Sequence, residues 1–462
     1  MRSFLAIWIS TAMVLATASP AAAADPGTTP TGERYGATAQ RLIDAAMRDT
    51  DGLARLEYLC DRIGNRLSGS ASLERAIEWS AAEMKKAGLQ NVQTPPVKVP
   101  KWVRGNESLV MLEPIHKPLW MIGYGMVPGT PPEGITAEVV IVSSPDNLRD
   151  AEPVKGKIVL YNTIADGYKL ATVSGPATAA AAGAAGVLIR SGIPLQGPHT
   201  MALNWPQGAT KIPTAALSVE DTDMIQRLVD AHTPMRVRLM MEAHQEPDAD
   251  SHDVMGEIRG REKPEEVVVL GGHVDSWDIG QGAHDDGAGI ISALEAVLLI
   301  KKLGLQPRRT IRVVFWVNEE NGGAGGRAYR ALVGDQVRNH VAAIEDDNGA
   351  EKPTGFGFGG VQAQAVFPGA FERAVEIGEL LKSIGAEKIV SKGGGGDIRP
   401  LTAEGVPGFA VRTVGTRYPE WHHSHGDSFE NISPHDFQLH IASLAVLSYV
   451  LADMPERLSD LK

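Results

Sequence analysis

Val267-Val-Val-Leu270 runs without a break into Gly271-Gly-His-Val-Asp275. Four consecutive apolar residues, three of them β-branched, fit a strand covered on both faces, as in the interior of a parallel sheet. The chain then cycles through strand, loop and helix. Ile290 to Leu303 has helical spacing, Thr310 to Val317 reads as a strand, and Gly326 to Leu332 as a helix. Val341-Ala-Ala-Ile344 is a third strand, Phe371 to Ile384 a helix, Gly408 to Val414 a fourth strand, and Phe437 to Leu451 a closing helix. This alternation predicts an α/β fold: a mixed, largely parallel sheet sandwiched by helices.

Upstream, helical spacing runs from about Tyr35 to Ile63 and again from Leu73 to Ala87, and segments near Val97 and Leu109 read as strands. The composition shifts near Gly123. Short strands follow at Ala137–Val142, Gly156–Tyr161 and Ala185–Ile189, with an Ala-rich helix at Ala177–Ala185 between the last two. Histidines and clustered carboxylates are scarce here, so the block reads as an inserted smaller α/β domain that does no bond chemistry. The resulting division is 1–24 as an export signal, 25–122 as the first part of the main domain, 123–243 as the insert, and 244–462 as the remainder.

Composition narrows the function. The 462 residues are 43% hydrophobic and 22% charged, with a net charge of -12. Phosphate backbones are bound by clustered Lys and Arg, so an acidic chain is not expected to bind nucleic acid. Met1-Arg2, an apolar run from Phe4 to Ala18 and the small residues Ala21–Ala24 predict a cleaved secretory signal, hence a secreted or periplasmic protein with no stable membrane anchor. Cys60 is the only cysteine, which leaves an exported chain without an internal disulfide and reads as a buried small hydrophobe.

Polar residues gather beyond the strand ends. His273 and Asp275 follow the first strand, Glu319-Glu320 the second, Asp346-Asp347 the third, and His422-His423 the fourth. Ligands of open α/β sheets bind at the carboxyl ends of strands, so these positions are expected to converge on one crevice. Imidazole and carboxylate donors without thiolates suit zinc. Asp285, in Ala283-His-Asp-Asp-Gly287, is placed to bridge two ions, and such a pair can polarise a carbonyl and activate water. Glu319, beside Glu320, is the candidate general base. A His-x-Asp or a Glu-Glu pair alone is commonly a solvated surface feature; four strands ending this way is a stronger signal.

These motifs also resemble a known family. Gly271-Gly-His-Val-Asp-Ser-Trp-Asp-Ile-Gly-Gln-Gly-Ala-His-Asp-Asp-Gly287 is similar to the metal motif of the M28 metallopeptidases, most nearly of their carboxypeptidase Q branch. Asn318-Glu-Glu-Asn321, Glu345-Asp-Asp-Asn-Gly349, His422-His-Ser-His-Gly-Asp427 and Arg62-Ile-Gly-Asn-Arg-Leu-Ser-Gly69 match further motifs, and the insert resembles a protease-associated domain. The resemblance implies a zinc exopeptidase fold acting on short peptides, as a dipeptidase, aminopeptidase or carboxypeptidase, and a homodimer. It implies two zinc ions, one on His273 and Asp347, the other on Glu320 and His423, bridged by Asp285. Asp275 would hydrogen-bond the far nitrogen of His273, and the Asp285–Asp286 peptide bond would be cis. Two rivals share the scaffold: a binding protein that has lost its ligands, and a single-zinc glutaminyl cyclase.

Weaker signals have plainer readings. Gly355-Phe-Gly-Phe-Gly-Gly360 satisfies a dinucleotide pattern literally but lacks its context. Gly393–Gly396 before Asp397 is expected to form an active-site loop where backbone approaches a ligand. His284 reads as an exposed or hydrogen-bonded neighbour. Asn106 and Asn431 head glycosylation sequons, and no Gly-x-Ser-x-Gly or His-Glu-x-x-His motif is present.

Overall fold

The computed structural model describes residues 29–149, 154–163, 166–195, 197–359 and 368–461. The export signal read over residues 1–24 lies outside them. Among the described residues no helix is long and apolar enough to cross a membrane.

The main sheet has eight strands in the order Gln90–Gln93, Val254–Ile258, Arg309–Trp316, Lys263–His273, His340–Glu345, Gly408–Thr413, Pro353–Gly359 and Lys388–Val390. Its centre is parallel, from Arg309–Trp316 through Lys263–His273 and His340–Glu345 to Gly408–Thr413. Antiparallel strands flank this centre on both sides. Side chains along the central strands are buried on both faces and point alternately to one and the other. Val268, Leu270, Ile311, Val313, Phe315, Ala342 and Ile344 face one core, whereas Val267, Val269, Val314, Trp316 and Ala343 face the other.

The first face is covered by the helices Ala288–Lys302 and Pro434–Asp453, which are apolar nearly all round because sheet lies on one side and further helices on the other. Ser433 caps the closing helix, its hydroxyl accepting from Asp436 N at 3.3 Å. Pro30–Ala46 packs outside that helix. The second face is covered by Ala324–Val333 and the short turn Arg399–Thr402. Cys60 belongs to the larger core, and burial pushes its thiol up to about 12, as suits a packing residue.

A second eight-stranded sheet forms the insert, with parallel strands Ile135–Val142, Ile158–Tyr161, Gly186–Arg190 and Thr214–Leu217 at its centre. Residue 123 does not mark its edge. Glu107–Glu113, Lys117–Leu119 and all but the last residue of Met121–Gly123, assigned from composition to the first part of the main domain, pair within this second sheet. Glu107–Glu113, half-buried in alternation, joins antiparallel to Arg236–Met241, Lys117–Leu119 to Glu107–Glu113, and Met121–Gly123 to Thr214–Leu217, and the change of composition comes only after they end. A two-stranded antiparallel ribbon, Pro96–Val103 with His244–His252, joins the two sheets.

The edge strand Gln90–Gln93, its neighbour Val254–Ile258 and the glycine-rich strand Pro353–Gly359 carry no apolar run long enough to announce them. In the last, Gly355, Gly357 and Gly359 lie on the backbone of residues 388–393, where a β-carbon would meet main-chain atoms at 1.9 to 2.2 Å. Gly355 and Gly357, two of the glycines that satisfy the dinucleotide pattern, serve backbone packing there, and Gly360 lies outside the described residues.

Candidate metal centre

The central parallel strands end together, and their following loops converge as expected. His273 Nε2 lies 3.1 Å from Asp285 Oδ1 and 3.4 Å from Asp347 Oδ1. His423 Nε2 lies 3.2 Å from Asp285 Oδ2 and 2.9 Å from Glu320 Oε2. Asp285 therefore stands between two imidazoles, each of which also faces a second carboxylate. His422 stacks on His423 with ring centroids 3.6 Å apart and reaches Asp285 at 3.5 Å, while His425 is exposed.

The far nitrogens fix both rings. His273 Nδ1 donates to the Asp275 carbonyl at 3.0 Å, and His423 Nδ1 donates to the Thr200 carbonyl at 3.0 Å. Asp275 thus holds the far nitrogen of His273 as expected, through its main-chain carbonyl, the Asp275 carboxylate being 3.7 Å away. That carboxylate is occupied elsewhere, accepting from Glu319 N at 3.0 Å and Ser68 Oγ at 3.2 Å. Asp275 thus couples the His273 loop to the Glu319 loop.

With both Nδ1 atoms donating, both Nε2 lone pairs point at carboxylate oxygens. Such a contact requires a cation or a proton between the atoms. Asp285 Oδ2 and Glu320 Oε1 are buried without a hydrogen-bond partner. The donor set of imidazole and carboxylate, with its leftover lone pairs, fits a divalent metal. His273, Asp285 and Asp347 form one cluster of metal-ligand geometry, and Asp285, His422 and His423 another.

The electrostatics agree. Burial would lower the His273 pKa, but Asp347 and the hydrogen bonds to Asp285 and Asp347 hold it well above the ordinary imidazole range. His423 behaves alike, with burial opposed by Glu320 and Asp285. Burial and the Asp285 charge raise Glu320, and burial raises Glu319 and Asp347. Burial also acts upward on Asp285, yet the two imidazoles beside it, His273 and His423, take it well below the usual carboxylate range. The cluster is one that favours positive charge among its carboxylates.

Asp346, the rival of Asp347, is already partnered: His440 Nδ1 lies 2.8 Å from its Oδ2. Asp286 turns away from the centre and accepts from His273 N at 2.9 Å. A β-carbon at Gly272 would lie 1.9 Å from its Oδ2, so glycine makes room for that carboxylate. The Asp285–Asp286 peptide bond is cis, as expected. Asp427 accepts from His284 N at 2.6 Å and Asp285 N at 3.3 Å, clamping the bridging loop. His284 is buried, accepts from Ala350 N at 3.1 Å and stacks on Trp421 at 4.3 Å, which is the hydrogen-bonded alternative of its two readings.

The glycine run does approach the carboxylates. A β-carbon at Gly395 would meet the Glu345 carboxylate at 1.8 Å, and one at Gly396 would meet Glu319 Oε1 at 2.2 Å. Glu345 accepts from Ile398 N at 2.9 Å and is pushed up first by burial and then by Asp347.

Sequence reasoning gave no role to Arg66, which lies inside a quoted motif. Its buried guanidinium donates to the carbonyls of Val274 at 2.7 Å, Gly64 at 3.1 Å, Gln281 at 2.8 Å and Gly282 at 2.8 Å. It ties the start of the His273 loop to its end. Carbonyl acceptors carry no side-chain identity, and only the buried Arg itself could have signalled the role.

The centre opens into a cleft of about 1250 Å³. One wall carries Asp285, Glu319, Glu320, Asp347, His422 and His423; the facing wall is the insert segment from Met201 to Lys211, with Met126. The insert is therefore part of the cleft, which its composition gave no reason to expect.

Comparison with known proteins agrees with this geometry. Residues 253–448 match peptidase family M28, and residues 135–225 match the PA domain. The chain is 42% identical to carboxypeptidase Q of Bos taurus, over 92% of this chain and 90% of that protein. It is also 42% identical to carboxypeptidase Q of Homo sapiens, over 87% of this chain and 86% of that protein. The crystal structure of an M28 peptidase precursor from Shewanella amazonensis superposes with a TM-score of 0.85 at 29% identity, covering 92% of this chain and 98% of that one. A zinc aminopeptidase from Bacillus subtilis shares the fold, with a TM-score of 0.67 at 20% identity over 89% of this chain and 97% of that one.

Arg66→Lys should cost at least about 2 kcal/mol, since an ammonium cannot reach carbonyls spread around a planar fork and leaves buried acceptors short of a donor. Urea unfolding of the two proteins side by side measures this, and equal midpoints would refute it.

With the strand-end constellation, the inserted second sheet and these relatives taken together, the chain belongs to peptidase family M28 and is a metallo-exopeptidase carrying an inserted PA domain.

Proposed function

We propose that the protein is a co-catalytic two-zinc exopeptidase that hydrolyses dipeptides or short peptides, with Glu319 as general base and then general acid. The observation that carries this reading is Asp285, shared between two Nε2 atoms that each face a second carboxylate. His273 and Asp347 would hold one ion, Glu320 and His423 the other, and Asp285 would bridge them. When bound, the ions would supply Lewis acidity that polarises the scissile carbonyl and acidifies the attacking water.

The chain's own residues do the rest. Glu319 is the cleft carboxylate left over once the ligands are assigned, and its main chain is fixed by its N–H to Asp275. It takes the proton from water and delivers it to the leaving amine. Asp275 positions both partners, His273 through its carbonyl and Glu319 through its carboxylate. The remaining charged side chains lining the cleft are Lys211, Arg327 and Arg399, all cationic and exposed. They suit a free C-terminal carboxylate on the substrate, and among the described residues no spare carboxylate lines the cleft for a free ammonium. Residues 1–24 support export to the periplasm or the extracellular space.

Glu319→Gln should lower kcat by about 10²–10⁴-fold with metal content unchanged. Elemental analysis beside steady-state kinetics tests it, and near-normal kcat at full metal occupancy would remove Glu319 from this role.

A panel of dipeptides, N-acetylated dipeptides and C-amidated dipeptides, assayed with and without zinc, tests the substrate reading. Amidation should reduce kcat/KM at least about tenfold, the worth of one charge-assisted contact. Equal turnover of free and amidated substrates would argue against the carboxylate anchor.

Zinc binding to the metal-free protein at pH 7 should release protons, because His273, His423 and Glu320 hold them above their ordinary ranges until a cation replaces them. Affinity therefore rises with pH and falls on acidification. Calorimetric titration in buffers of different ionisation enthalpy should give two ions per chain and net proton release; a single ion without proton release would favour the cyclase-like alternative.

A further inference from the structure

The insert meets the metal loop through more than the cleft wall. Thr200 and His423 exchange hydrogen bonds: Thr200 N donates to the His423 carbonyl at 2.9 Å, and His423 Nδ1 donates to the Thr200 carbonyl at 3.0 Å. The neighbouring pair repeats the link, with His199 Nδ1 donating to the His422 carbonyl at 2.6 Å. We propose that the inserted domain is a working part of the metal centre, with His199 and Thr200 as positioning residues that aim His423 and set the affinity of the second zinc site. This rests on the reading of His423 as a ligand.

The argument begins with the ring. An imidazole ligand is oriented by what its other nitrogen donates to, and for His423 that acceptor belongs to the insert. The backbone supplies the second step. His423 has φ of 59°, in the left-handed region that a residue with a β-carbon occupies only when its surroundings over-determine it. The three bonds from His199 and Thr200 supply that determination for residues 422 and 423.

The insert segment is itself anchored. Thr200 Oγ1 donates to the Gly123 carbonyl at 2.8 Å, Gly125 N to Met201 O at 2.9 Å, and Leu203 N to Gly125 O at 3.2 Å. Trp277 also meets the His423 ring edge-on, with centroids 5.9 Å apart. Trp277 lies on the loop after His273 yet is buried in the insert's core, and a β-carbon at Gly125 would come within 2.2 Å of its ring. Arg104 also grips the carboxylate of the adjacent Asp278, at 2.7 to 3.1 Å. The loop after His273 and the loop carrying His423 are thus both docked on the insert, whereas a passive lid would only overhang the cleft.

The test uses the full-length protein and zinc. His199→Phe keeps a ring but removes the donor, and His199→Asn returns a donor near the same place. Dialysis against buffered free zinc, followed by elemental analysis, should find both ions retained in the wild type and in His199→Asn. His199→Phe should keep one ion and bind the other about tenfold or more weakly, as losing an orienting partner typically does. Full wild-type zinc affinity in His199→Phe would overturn the proposal, as would equal damage in His199→Asn, which would mean packing alone matters. A wild type that binds a single zinc would overturn the two-zinc reading and this inference with it. Should His199→Phe fail to fold, amide hydrogen exchange of the wild type decides the matter without a variant. Linkage is reciprocal, so loading zinc should slow exchange at Thr200 N–H. Exchange there that ignores zinc would overturn the proposal.

Discussion

Two imidazole lone pairs aimed at buried carboxylate oxygens are the constraint on which the rest of the molecule depends. His273 and His423 each give the Nδ1 proton to a backbone carbonyl, so each Nε2 confronts Asp285 with nothing of its own to donate. In a low-dielectric setting such a cluster is unstable until positive charge enters it. Without metal the charge arrives as protons, which is why the two histidines and Glu320 are all held above their ordinary ranges. Divalent ions would satisfy the same lone pairs at fixed geometry. The site is thus built to be incomplete as a polypeptide, and its stability and its chemistry depend on the same charge.

Holding that incompleteness in place takes an outer layer whose members never touch the metal positions. Arg66 ties the two ends of the His273 loop, Asp427 clamps the main-chain nitrogens of His284 and Asp285, and His440 occupies Asp346. Asp346 is next to Asp347 in sequence but is neutralised from behind, leaving Asp347 as the one that faces His273. Glycine does the complementary work. At Gly272, Gly395 and Gly396 a single β-carbon would strike the carboxylates of Asp286, Glu345 and Glu319. Room for buried charge is made by removing side chains around it.

How much of this could be read from the sequence follows from which physical signals reach the side chains. The parallel centre was legible because strands buried on both faces must be apolar at every position, as in Val267–Leu270. The site was legible because strand ends bring distant polar residues together, and the motif order supplied the choice of Asp347 and His423. The flanking strands Gln90–Gln93 and Pro353–Gly359 were not legible. One is short and polar, and the other packs through glycine backbone, so neither has an apolar pattern to find. The insert's start was misplaced because its first strands alternate like any half-buried strand and differ little in composition from the residues before them. Asp275 was legible as the partner of His273, but which of its oxygens accepts was not. Asp275 offers both a carboxylate and a carbonyl two residues along, and only the geometry of the loop chooses between them.

The same reasoning explains why the insert looks inert in sequence. It supplies none of the expected ligands, and on its own side the bonds described to His422 and His423 use main-chain atoms of Thr200 and a single side chain, His199. Backbone atoms are present at every position, so a contact made with them leaves no mark on composition. The architecture makes such contacts possible. The insert hangs on a two-stranded ribbon, and a ribbon alone would let it swing. It is held down where Trp277 and Ile279 enter its core and where Thr200 meets His423. Both docking points lie on loops that carry or follow proposed metal ligands. Movement of the insert must then be felt at the metal positions, and ordering of the metal positions must restrain the insert. A domain read as an accessory by composition is coupled, through a handful of main-chain bonds, to the charge cluster on which the fold of the site depends.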